Sequence, residues 1–121
     1  MKTLAVVLAI FFILCAAMVL NFIYINESAD ELTSLAESLS FDDPSITDKI
    51  EEIERKWEKS SVIFSLTVNF KEIDYLGETL VELKSSAESR NRDEFERYKL
   101  LVIDAIDGVR RLERFSIINI L

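Results

Sequence analysis

The chain has 121 residues, half of them hydrophobic, with 14 basic and 22 acidic side chains and a formal charge of −8. It holds no histidine and one cysteine, which excludes an intrachain disulfide, Cys/His zinc sites and histidine-based catalysis. Residues 1–26 carry one charged side chain, Lys2; the rest is strongly acidic, a balance that nucleic-acid phosphates repel.

The first element is the run "LAVVLAIFFILCAAMVLNFIYI", residues 4–25, without a charged residue. As a helix rising about 1.5 Å per residue it spans about 33 Å, enough for a hydrocarbon core of about 30 Å. A secretory signal has a shorter apolar core, about 7 to 15 residues, ending at small residues. Cys15-Ala16-Ala17 imitates such a site, but apolar character resumes at Met18 and continues to Ile25. The length predicts an uncleaved anchor over residues 1–26, with signal-peptide cleavage and release as the alternative. Lys2 enters the run and Glu27, Asp30 and Glu31 leave it, which predicts a cytoplasmic amino end and an extracytoplasmic body. Ala5 and Ala9 form a small-xxx-small pair able to seat a second helix in the bilayer.

Residues 27–121 are expected to form one small helical domain. Ser28-Ala29-Asp30-Glu31 reads as a capping box, predicting a new short helix with Leu32, Leu35, Ala36 and Leu39 on its apolar face, ending near Leu39. Phe41-Asp42-Asp43-Pro44-Ser45 breaks the pattern. Asp43 as N-cap and Pro44 in the first helical position start the next helix, which places Ile46, Ile50, Ile53 and Trp57 on one face. Leu66, Phe70, Ile73, Leu76, Leu80, Leu83 and Ala87 continue with helical spacing. Within this stretch "FSLTVNF", residues 64–70, alternates like a strand. Helix is preferred, because the helical stripe runs through it in phase and a lone strand is not stable; only the carboxy-terminal "FSIINIL" could pair with it as a strand.

A turn follows at residues 89–92, with Asn91 as N-cap and Glu94 three residues on. Phe95, Tyr98, Val102, Ala105, Val109 and Leu112 form the last stripe, ending near Phe115. The turn predicts an antiparallel hairpin that sets Leu83 near Tyr98, Leu80 near Leu101, Ile73 near Val109 and Phe70 near Leu112. The expected fold is all-α: an amino-terminal transmembrane helix followed by a small antiparallel three- or four-helix bundle. Gly77 and Gly108 sit mid-helix, each costing about 1 kcal/mol against alanine, and close helix approach is the expected reason.

Carboxylate pairs abound, as in Glu51 with Glu52, Glu72 with Asp74, and Asp104 with Asp107, but each lies on a helix flank where solvent is the expected neighbour. No nucleophile, base and oxyanion donor can be assembled. The reading is therefore a protein that is not an enzyme and uses no cofactor or metal. Arg110, Arg111 and Arg114 complement the dipole of the last helix, or instead receive the acidic segment next to the membrane.

The membrane span, Trp57, "NFKEIDYL" at residues 69–76, a last helix with Glu113 and the closing Asn119-Ile120-Leu121 together resemble the DUF4363 family, small single-pass membrane proteins of spore-forming Firmicutes with no assigned activity. The resemblance covers most of the chain. Family members often carry histidines where this sequence has Val68-Asn69, a departure that argues against a metal or acid–base role. The resemblance implies an integral-membrane partner of the DUF421 type. The expected function is an accessory subunit of an envelope membrane-protein complex in such a bacterium. It would be embedded in the lipid bilayer and dock through Ala5 and Ala9 in the membrane and through Trp57, Phe64 and Phe70 outside it. Homo-oligomerisation, a ligand-sensing bundle and a secreted binding protein are the alternatives.

Overall fold

The computed structural model describes the backbone of residues 1–64 and 70–120 and the side chains of residues 1–62 and 71–111. Four helices account for it: α1 (Lys2–Glu37), α2 (Ile46–Phe64), α3 (Phe70–Glu88) and α4 (Arg92–Ile120). No strand occurs among the described residues, and the choice between helix and strand for residues 65–69 lies outside them.

The expected break at Ser28 is absent, because α1 runs without interruption for 36 residues. A capping hydroxyl has work only where backbone N–H groups lack i−4 carbonyls. Asn26, Glu27 and Ser28 include neither glycine nor proline, so nothing interrupts the ladder. Asn26 turns its amide back onto its own helix, Nδ2 donating to Phe22 O at 3.0 Å. The apolar run and the first bundle helix are thus one rod.

The last third of α1 enters a ring in which each helix packs on two neighbours, α1 on α2 and α4, and α3 on α2 and α4. The diagonal pairs do not meet among the described residues. The buried seams are Ile25, Ala29, Leu32 and Ala36 on α1, Ile46, Ile50, Ile53, Trp57 and Ser60 on α2, Ile73, Leu76, Leu80, Leu83 and Ala87 on α3, and Phe95, Val102, Ala105, Ile106 and Val109 on α4. Steps of three and four residues recur in all of them, the spacing of left-handed bundles. The α3/α4 hairpin is the most extensive interface, and Phe70 opposite Leu112 lies outside the described side chains.

The two other expected caps form. Asp43 Oδ1 accepts from Ser45 N at 2.9 Å, and Asn91 Oδ1 accepts from Glu94 N at 3.2 Å. Helix α3 closes with Arg90 at φ 59°. Arg90 N donates to Ala87 O at 3.3 Å and Asn91 N to Ser86 O at 3.0 Å, a Schellman ending built without glycine. The segment expected only to break the helical pattern does more: Leu39 and Phe41 are buried and plug the end of the bundle away from the apolar run. The Phe41 ring packs 5.5 Å from Phe95 beneath the guanidinium groups of Arg90 and Arg92, each 4.7 Å from its centroid.

Neither glycine is demanded by close packing. A Cβ on Gly77 would meet Trp57 Nε1 at 3.8 Å, an ordinary contact, and one on Gly108 would meet nothing within 4 Å.

Candidate functional site

The candidate site lies where the apolar run of α1 meets the bundle. Helix α1 is long and apolar enough to cross a membrane, and no residue of its apolar window is fully buried by the rest of the protein. Leu4, Phe12 and Leu20 are 64%, 67% and 66% exposed, whereas Leu32 on the same helix is 2% exposed. Ala5 and Ala9 lie on this bare surface, available to lipid or to another helix.

Just beyond the run, ion pairs tie α1 to both of its neighbours. Arg110 of α4 pairs with Asp30, and Lys56 of α2 pairs with Glu31. The hydrogen bond that Lys56 donates to the Glu31 carboxylate is the main cause that raises its ammonium above the ordinary value. Further along, Lys84 of α3 reaches Glu51 of α2 at 3.0 Å and is raised in the same way. The exposed partners make these pairs markers of register more than sources of stability. Arg110 therefore receives the acidic segment beside the apolar run, the second of the two readings of its basic cluster. The dipole reading fails because α4 continues to Ile120, which leaves no basic residue in its last turn. Arg111 pairs with Asp107 on its own helix at 3.3 Å, and Arg114 lies outside the described side chains.

Trp57 belongs to the core and not to a docking face, a correction to the sequence reading. It is 5% exposed and packs near Gly77 of α3. A lone tryptophan on a helix at core spacing is drawn inward by the area it buries. Phe64 and Phe70, the other two docking residues expected outside the bilayer, lie outside the described side chains.

The described surface holds shallow grooves. One of about 420 Å³ runs between α1 and α4, lined by Thr33 and Glu37 on one side and by Leu100, Asp104, Asp107 and Arg110 on the other. The carboxylates Glu51 and Asp107 each face a cation, and no group of metal-ligating side chains occurs among the described residues. Sequence reasoning held the pairing of Arg110 with the acidic segment only as one of two readings and missed the Glu31–Lys56 pair, since partners 80 and 25 residues apart leave no local signal. Comparison with known families, with curated proteins and with solved structures gives no match.

Proposed function

We propose that this protein is a single-pass membrane protein whose helical bundle is a docking module, an accessory subunit of an envelope membrane-protein complex. The observation that carries the reading is the continuity of α1. One uninterrupted helix presents a bare apolar surface over its first two thirds and core side chains over its last third. A partner that grips the helix in the bilayer would thereby hold the bundle at a set height and rotation. Ala5 and Ala9 offer the close approach that helix pairs in lipid use. Lys2 before the run and the acidic residues after it favour a cytoplasmic amino end with the bundle outside. The resemblance to DUF4363 proteins adds an integral-membrane partner of the DUF421 type to this reading.

The test is extraction of the full chain, tagged at its carboxy end, from its native membrane in mild detergent, beside an Ala5→Leu/Ala9→Leu variant. The expected result is a second membrane protein retained at constant ratio by the wild type and lost from the variant. Recovery of the wild type alone, as monomer or homo-oligomer, would remove the accessory-subunit reading.

A further inference from the structure

Two contacts at different heights establish how α4 runs beside α1. Lys99 Nζ donates to Leu39 O at 2.8 Å, and Arg110 pairs with Asp30. The helices are antiparallel, so each residue gained along α4 descends about 1.5 Å along α1. Helix α4 continues ten residues beyond Arg110 to Ile120, and its end therefore reaches about the level of residues 18 to 20 of α1, inside the apolar run.

The surface of α1 agrees. Met18, Asn21 and Phe22 are half-buried, while Val19, Leu20 and Ile23 around them are 56%, 66% and 45% exposed. The bundle seam of Ile25, Ala29, Leu32 and Ala36 thus extends through Phe22 and Met18 to Cys15 with the same alternating steps of three and four. The sequence changes character at the same height. Arg110, Arg111, Glu113 and Arg114 are followed by "FSIINI", residues 115–120, with no charge.

We propose that the end of α4, residues 115–120, lies in the interfacial layer of the bilayer beside α1, so that two helices and not one fix the bundle to the membrane. The proposal rests on the membrane-anchored reading of α1. A hydrocarbon core of about 30 Å takes up about 20 residues of helix; counted from Leu4 it ends near Ile23. The last turn of α4 then reaches only about 5 Å below that boundary. The arginine-bearing turn before Phe115 falls at the headgroup level, where cations are at home. A second point of attachment prevents the bundle from swivelling about α1, and the face it shows a partner is thereby set by the membrane plane.

The experiment uses the full chain with Cys15→Ala, reconstituted in phosphatidylcholine vesicles, carrying a spin label at one introduced cysteine at a time. Ser116→Cys, Ile118→Cys and Ile120→Cys are compared with Asp104→Cys as the aqueous reference and Leu8→Cys as the lipid reference. Collision with oxygen and with a water-soluble nickel chelate is measured at each. The expected result is nickel access at 118 and 120 several-fold below that at 104, with oxygen access rising toward the value at 8. Nickel access equal to that at 104, with position 8 still oxygen-rich, overturns the second attachment and leaves the anchor standing. Low access to both reagents at 116–120 means cover by protein and also overturns it. Nickel access at position 8 overturns the anchor and the proposal together.

Discussion

Helix α1 is two regions on one rod. From Leu4 to Tyr24 its large apolar side chains are mostly bare, and from Ile25 to Ala36 the seam is sealed against α2 and α4. The backbone is the same on both sides of that boundary, and so is the hydrophobic content of the stripe. Only the surroundings differ: the upper part is completed by other helices of the chain, whereas most of the lower part is bare among the described residues. Exposed leucine at this density marks a surface that meets lipid or a partner.

The largest expected contrast comes from equal truncations on the two sides. Leu32→Ala opens a cavity in the sealed region and should cost about 2 to 5 kcal/mol of bundle stability. Leu14→Ala, on the bare region, should leave the unfolding midpoint unchanged. Denaturant titration in detergent, followed through the fluorescence of the single tryptophan Trp57, reads both; equal effects would erase the distinction. Enlargement gives a second contrast. Ala29→Leu must force a side chain into a position with no exposed area, at a cost of about 1 to 3 kcal/mol. Ala9→Leu should be neutral in the same measurement, though not in partner retention.

Gly108→Ala sharpens the comparison from the α4 side. The added methyl meets no atom within 4 Å, so the variant should gain about 0.5 to 1 kcal/mol from helix propensity alone. A loss would show that the glycine serves a close approach after all. The smallest effect belongs to Asp43, at the end of the bundle farthest from the apolar run. Its hydrogen bond with Lys49, and then the backbone N–H of Ser45, hold its carboxyl below the ordinary aspartate value of 3.8. A group lowered in the folded state stabilises above its unfolded value, and that contribution disappears as pH falls through the folded value. The midpoint difference between wild type and Asp43→Ala should therefore be full at neutral pH and shrink below pH 3.8. A difference that persists unchanged at lower pH would assign it to something other than the carboxylate.

Much of this molecule was legible in its sequence, and the failures have a common origin. The seams on α2, α3 and α4 were readable because a helix facing a core repeats its apolar residues every three or four positions. Asp43 and Asn91 were readable because a cap acts on N–H groups two or three residues away. Ser28 misled because its capping signature is local, while the choice to start a helix depends on whether the preceding backbone is already helical. Trp57 misled for a related reason: its spacing placed it on the seam, but its isolation invited a functional reading that burial removes. Arg110 carried two readings, and only the position of α1 beside α4 chose between them.

What the sequence determined by itself is everything set within a few turns of chain: helical character, the inward stripes, the caps at Asp43 and Asn91, and one run apolar enough to cross a bilayer. What only the tertiary structure decided is relative height. The pairing of Asp30 with Arg110 and the level that α4 reaches beside α1 follow from side chains up to 80 residues apart. Periodicity along one helix specifies which face turns inward but is unchanged when that helix slides by a turn. The packing of all four seams together selects a single register, and with it the level at which the bundle meets the apolar run.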